Sequence, residues 1–465
     1  MNALAKFRYL GPWQTARKYA LKAERALNRH RRPPQLPAQD PTIDLRLTLL
    51  GHDFDLSATN RWHGAWPVIY SHAVPLDAGG DVKLIWELNR HQFGPTRQMI
   101  RDWIAQNPYE FGINWNSAME VGLRLIAWIE TFGREEFSAA LAEHARFIRH
   151  NLSSDWIPRG NHLVAEAAAL SLYDGTPHPW LRQAADKQFY PDGIHCEQSV
   201  AYHRFVTHLF ALAGLPQPKA LAYLGAIRQP DGSLPDIGDN DDGRASTRPL
   251  ELPPAPAGSV AFPDAGHYVI RNGGDYCFVR CGEFGMAGHP HADLLSPVLW
   301  LRGTPVFVDA GTFAYNGDPQ LRRNFRSAEA HNVVTIDDEE MAEPAGTFAW
   351  RNTPRGVCEQ WTGAEFVGSV GPWRRRIRNK TGTFTITDTV PAGRLRWRFH
   401  LHPDLKITHC GDGRFVFGKF MLTAPGKLSV GAGWRSPSYG VRLPVDVCEI
   451  SMDTESPVTA EFRLE

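Results

Sequence analysis

The sequence predicts a multidomain α+β protein, an all-helical half followed by an antiparallel β-sandwich. From about residue 80 to 230, apolar residues recur every three to four positions, the period of a helix. After 262 the period drops to two, in many short runs without a helical stretch between them, which implies one antiparallel sheet packed on another. Between the halves, "PDGSLPDIGDNDDGRASTRPLELPPAPAGS" (230–259) is so dense in Pro, Gly and Asp that no helix continues through it.

Taken in order, residues 1–40 read as a basic N-terminal arm. Within residues 1–35, Lys6, Arg8, Arg17, Lys18, Lys22, Arg25, Arg29, Arg31 and Arg32 stand against the single acid Glu24. Such a segment is either a solvated arm or a basic helix lying on a membrane surface or an anionic polymer. A helical domain follows over 41–235. Its helices are expected over 116–132, 137–152, 161–173, 197–215 and 218–229, joined as hairpins packed side by side. Residues 236–262 read as a linker, although a loop of that length is often functional in its own right. The β domain occupies 263–465. "HYVIRNGGDYCFVRCG" (267–282) is two strands about a Gly-Gly turn, and "PVLWLRGTPVFVDAGT" (297–312) a second pair about Gly303. "TFTITDTV" (383–390), "LRWRFHLHP" (395–403) and "RFVFGKFMLTA" (414–424) continue the alternation.

The 465 residues are 43% hydrophobic and include 15 Trp and 24 Phe, enough to bury a large core. Fifty basic residues balance fifty acidic ones, so no overall field favours nucleic acid as a partner. The six cysteines are scattered without a CxxC pair and read as mostly buried free thiols of a reducing compartment. No secretory leader and no membrane-spanning apolar run is legible, so the expectation is a cytoplasmic protein, with the periplasm as the alternative.

Chemistry-bearing residues concentrate in a few segments. "GHPHADLLS" (288–296) places His289 and His291 two apart, on the same side if the segment is extended. Asp309 follows the apolar run "PVFV", where a carboxylate needs a partner, and His331 precedes "NVVTID". Two imidazoles and a carboxylate on adjacent strands, His291, Asp309 and His331, suit zinc. The plainer reading has two hydrogen-bonded sheet histidines and an Asp309 that caps the turn at Gly311. In "RGNHLVAEAAAL", Asn161 is either the N-cap of a helix or an amide offered to an anion. His162 is then a base that Glu166, four residues on, can orient. In "DGIHCEQSVAYHRF", Tyr202 and His203 lie on a helix with Gln198 one turn earlier. Tyr202 is either a packed aromatic or a proton-transfer group.

"GNH" (160–162), "DG…EQS…YH" (192–203), "GHPHAD" (288–293), "VDAGTFAY" (308–315) and "AHNVV" (330–334), in that order, resemble the heparinase II/III-like polysaccharide lyases, a family that includes alginate lyases. The resemblance spans roughly residues 60–400. It implies an incomplete α/α toroid followed by a β-sandwich, with the active site in the cleft between them. It also implies cleavage of an acidic, uronic-acid-containing polysaccharide or oligosaccharide by β-elimination. On that resemblance Asn161 would neutralise the uronate carboxylate, Tyr202 would be the acid and possible base, and His162 a second base or carboxylate contact. His289 would touch substrate. His291, Asp309 and His331 would hold a zinc ion with a mainly structural role. Gln198, His203, Tyr315, Arg322 and Arg326 are further candidate substrate contacts. Arg374–Arg376 read more simply as a solvated strand edge. Two alternatives stay open: a non-catalytic acidic-glycan-binding protein on the same scaffold, or a glycoside hydrolase on an α/α toroid. The hydrolase would need two carboxylates about 5–10 Å apart, from among Glu120, Glu166 and Glu197.

Overall fold

The helical period of the first half is realised as α1 (Ala3–Asn28), α2 (Val82–Asn89), α3 (Arg97–Gln106), α4 (Ala118–Phe132), α5 (Ser138–His150), α6 (Asn161–Asp174), α7 (Pro179–Gln188), α8 (Val200–Leu212) and α9 (Pro218–Ala226). These come from a computed structural model that describes residues 3–58, 61–78, 80–153 and 160–465. The chain divides into two units. One comprises 1–188, 205–217 and 243–250; the other comprises 189–204, 218–242 and 251–465.

In the first unit α4 packs on α2, α5 and α6, with α6 also against α7. Helix α6 is apolar on almost every side ("NHLVAEAAALSL"), and Leu163 to Ser171 are all buried, as expected of a helix with no solvent face. Its alanines let α4 approach closely, since a Cβ on Gly122 would already touch Ala169 at 3.3 Å. Several buried charged side chains of this unit are paired. Arg90 grips Glu120 at 2.6 and 2.8 Å and also meets Glu87, which in turn holds Lys83. The basic arm is a 26-residue helix whose second half is tied to α5. Arg17 donates to the carbonyls of Arg149 and His150, acceptors left over at the C-terminus of α5. Arg25 donates to Asn151 and Glu24 pairs with His150. Lys6 and Arg8 lie outside the described side chains. A hairpin, Arg46–Leu49 with His52–Asp55, interrupts the helical half. Its four-residue strands are too short to register as an alternating pattern.

The second unit is antiparallel throughout its three main sheets. Val260–Phe262, His267–Asn272, Asp275–Arg280, Pro297–Leu301 and Thr304–Phe307 form one sheet in chain order. A four-stranded sheet runs Lys427–Ser438, Val441–Thr454, Gly393–His400, Val334–Ile336. An eight-stranded sheet centres on Trp373–Lys380, Thr383–Val390 and Val458–Leu464. Their inner faces share one apolar core, including Leu299, Phe307, Ile377, Trp397 and Phe462. The fold class is therefore the one expected, an α/α-toroid type of helical region followed by a β-sandwich.

Two local expectations change. Arg374–Arg376 do not lie on a strand edge: their strand sits between Glu365–Val370 and Thr383–Val390, and alternation buries Arg375, which grips Asp388 at 2.8 and 2.7 Å. A helix, α10 (Pro319–Arg326), stands among the strands, capped by Asp318 with Pro319 at its first position. Its eight residues carry only two apolar positions at helical spacing, Leu321 and Phe325, too few to read as a period. None of the six cysteines is disulfide-bonded, and Cys196, Cys277, Cys281 and Cys448 are buried. Among the described residues no helix is long and apolar enough to cross a membrane.

Candidate functional site

The segment 288–296 is a loop leading into Pro297–Leu301 rather than a strand, yet it turns His289 and His291 to one place. Both donate to a single carboxylate: His289 Nδ1 to Asp239 Oδ2 at 3.0 Å and His291 Nε2 to Asp239 Oδ1 at 2.9 Å. Arg322, from α10, closes the same carboxylate with Nη1 at 2.5 Å and Nη2 at 2.7 Å. Asp239 is wholly buried. Burial opposes its ionisation, but Arg322 and the two histidine hydrogen bonds hold its carboxyl well below the usual range. An ionised Asp239 only accepts, so the Nδ1 of His289 carries a proton.

Tyr202, in the first turn of α8, lies flat on His289, ring centroids 3.8 Å apart, and its hydroxyl shares a 3.0 Å hydrogen bond with that of Tyr315. The Tyr315 backbone N–H donates to the Tyr439 hydroxyl at 2.6 Å. Burial, then the charges of Asp241 and Asp239, push the Tyr202 phenol well above its ordinary value. Tyr202 therefore keeps its phenolic proton at neutral pH.

Beside these groups lies a set with metal-ligand chemistry. His291, Asp309 and His331 each offer a ligand atom within 4.8 Å of the others, and all three are buried. His331 Nδ1 donates to Asp309 Oδ2 at 2.7 Å, while Asp309 Oδ1 accepts from the Gly311 N–H at 3.0 Å. The turn cap and the histidine pair thus occur together. With one nitrogen of each histidine so engaged, His291 Nδ1 and His331 Nε2 are left buried without a hydrogen-bond partner. Each such orphan costs about 1–3 kcal/mol. A divalent cation accepting two imidazoles and a carboxylate would remove that penalty, so the residues present fit a metal ion. In its absence, burial lowers the His291 pKa, and Asp309 raises that of His331 against burial.

The other sequence candidates separate by environment. Gln198 accepts from His267 Nε2 at 2.7 Å and donates to Ala265 at 3.3 Å. Both ring nitrogens of His203 are bonded, Nδ1 accepting from the His195 N–H (3.0 Å) and Nε2 donating to the Ala220 carbonyl (2.9 Å). Arg326 is fully buried and donates to the Gly346, Thr347 and Gly288 carbonyls, so it anchors the histidine loop. Gly288 has φ +81°, and a Cβ there would run into the Phe348 carbonyl, so only glycine seats this loop without strain. Asp293 pairs with Arg280 at 3.0 Å.

In the first unit, Asn161 is the first residue of α6, with Gly160 rather than Asn161 in the cap position, and its side chain is buried. His162 follows it, half-buried. Glu166 takes the N–H and hydroxyl of Ser153 at 2.7 and 2.5 Å. Sequence reasoning missed Asp239, Thr312 and Tyr439. The only signal for Asp239 was its place in a long Asp- and Gly-rich loop.

Residues 254–461 match the family model described as heparinase II/III-like, C-terminal. That match covers a little under half of the chain, so by this segment the chain is similar to the heparinase II/III-like proteins. Among solved structures, a heparinase III is similar at 20% identity and a TM-score of 0.59, covering 82% of this chain and 78% of that one. A mutant of the heparan sulfate lyase HepC from Pedobacter heparinus is similar at 18% identity and a TM-score of 0.58, covering 99% of this chain and 89% of that one. At such identities the likeness establishes the fold. No curated protein matches the sequence.

Proposed function

We propose that this chain is a polysaccharide lyase that cleaves a uronic-acid-containing polysaccharide or oligosaccharide by β-elimination. The observation that carries the reading is the stacked pair of Tyr202 and His289, one a protonated phenol hydrogen-bonded to Tyr315, the other an imidazole anchored by Asp239. Elimination needs a base for the proton at C5, relief of the charge on the adjacent carboxylate, and an acid for the departing oxygen at C4. In this reading Tyr202 protonates the leaving oxygen. Asn161 and a histidine hydrogen-bond the uronate carboxylate and the enolate-like intermediate that follows. His289 Nε2 or His162 takes the C5 proton, the stereochemistry of the uronate deciding which. Tyr202 serves as both base and acid only where proton and leaving group share a face and its own proton has first been lost. The match of residues 254–461 to the heparinase II/III-like model and the similar lyase structures support the polysaccharide-lyase class.

Zinc is the metal we assign to His291, Asp309 and His331, supported by the two orphaned nitrogens and the donor set. It would hold the loop of His291 to two further segments, since Asp309 lies just after the strand Thr304–Phe307 and His331 just before Val334–Ile336 rather than on adjacent strands as expected. Elimination consumes no water, so no activated hydroxide is required.

Hydrolysis is the weaker reading. Arg90 holds the Glu120 carboxyl below its ordinary value against burial, whereas a general acid needs the opposite shift. The deciding assay incubates the protein with a panel of uronate polymers and follows the ultraviolet absorbance of the unsaturated product. A rise that Tyr202→Phe removes is the expected result. New reducing ends without that absorbance mean hydrolysis, and neither signal leaves a glycan-binding protein.

A further inference from the structure

Asp239 is contacted from four directions, and the contacts link two groups that the proposed reaction treats separately. Its carboxylate receives His289 through one oxygen and His291 through the other. Its backbone N–H donates to the His289 carbonyl at 2.8 Å, so main chain and side chain both bind that residue. The preceding Gly238, at φ +67°, packs so closely that a Cβ would lie 2.9 Å from the His289 carbonyl oxygen. Thr312 Oγ1 adds a 3.3 Å contact, and Arg322 fixes the carboxylate plane with two bonds. The carboxylate has little freedom to turn toward one histidine without releasing the other.

We propose that Asp239 is a positioning residue that couples the metal site to His289. One carboxylate fixes the tautomer of His289 against Tyr202 and turns His291 so that Nδ1 faces away toward Asp309 and His331. Arg322 is the clamp that holds Asp239 in that double role. A displaced His291 would then drag Asp239, and His289 would lose its orientation. Outer-shell carboxylates of this kind commonly change metal affinity or activity about 10–100-fold when replaced. The inference rests on the lyase reading for its turnover readout and on the metal reading for the other, so the two are measured separately.

The experiment uses the full chain as wild type, Asp239→Asn, Arg322→Lys and His289→Ala, with folding checked by near-ultraviolet circular dichroism. Binding of Co2+, a spectroscopic probe for tetrahedral nitrogen and oxygen donors, is titrated by absorption. Turnover is followed on whichever uronate polymer the wild type cleaves. Asp239→Asn is expected to weaken Co2+ binding at least 10-fold and to lower kcat at least 10-fold, with KM within about 3-fold. Arg322→Lys should move both in the same direction by less, and it carries the test if Asp239→Asn does not fold. His289→Ala should lower kcat and leave Co2+ binding at wild type, because His289 is not one of the donors. A folded Asp239→Asn that changes only one of the two readouts, or neither, overturns the coupling. If the wild type cleaves no polymer, the lyase reading has failed. The coupling is then judged by the crystal structure of Asp239→Asn, where a His289 ring still stacked on Tyr202 overturns it.

Discussion

Tyr202 is buried to 7% exposure, and its phenol is held protonated by burial and by nearby carboxylates. Replacing it by Phe removes one hydroxyl and its bond to Tyr315, a loss of about 1 kcal/mol of stability. On the proposed lyase reading the same change removes the acid, so turnover should fall about 10²–10⁴-fold while the melting temperature moves little, as product absorbance and thermal denaturation would record. A variant that keeps wild-type turnover would mean that another group protonates the leaving oxygen. His291 makes the opposite kind of prediction. His291→Ala should strip zinc from the purified protein, measured by elemental analysis beside wild type, and unchanged zinc content would remove the metal assignment. The residue types at these positions were legible in the sequence, because an imidazole or carboxylate among apolar neighbours needs a partner. The identity of the partner was not. His291 and His289 meet Asp239 from 52 and 50 positions away, and no local pattern encodes that separation.

Helices were read well where one face or the whole circumference is apolar, and poorly elsewhere. The expected helix at 116–132 is α4, 137–152 is α5 and 161–173 is α6, each within a few residues. The helix expected from 197 starts at Val200, because Gln198 sits at φ 54° and the chain turns there before α8 begins. Helix α10 was missed because its eight residues hold only two apolar positions, Leu321 and Phe325: it is held by its cap, by buried Phe325 and by arginines bonded to neighbouring loops. Within the helical unit, α2 and α4 are joined by the Arg90–Glu120 pair, both residues almost completely buried. Breaking such a pair leaves an uncompensated charge at a cost of about 3–5 kcal/mol. Glu120→Gln should therefore lower the denaturant midpoint of the helical unit markedly. A midpoint equal to wild type would mean that water reaches Arg90.

At the scale of the whole molecule, many histidines are buried in neutral form. Burial depresses the pKa of His203 to about 4 and that of His400 to about 3, and holds His91, His144, His195 and His267 well below 6.5. For a histidine whose folded pKa is below its unfolded one, the unfolded chain binds more protons in the interval between them. Stability is then fully present above about pH 6.5 and is lost as pH falls toward the folded values. For His203 alone the loss by pH 5 is about 2 kcal/mol. Asp239 and Asp309, whose carboxyls are depressed, add losses of the same sign at lower pH. Unfolding by urea should therefore show a midpoint that drops steeply between pH 7 and pH 5. A flat midpoint over that interval would show that these rings are protonated in the folded protein.

The sequence by itself determined the order and class of the elements, the change of period near residue 262, and the kinds of side chain from which a site is made. Those properties are local, because backbone geometry imposes periods of 3.6 and 2 on whatever must be buried. Only the tertiary structure decided that a loop read as a linker delivers Asp239 beneath His289 and His291, that Arg322 closes on it, and that His203 is bonded at both nitrogens. Convergence of residues from distant loops depends on how the strands between them pack, and a spacing along the chain does not carry that information.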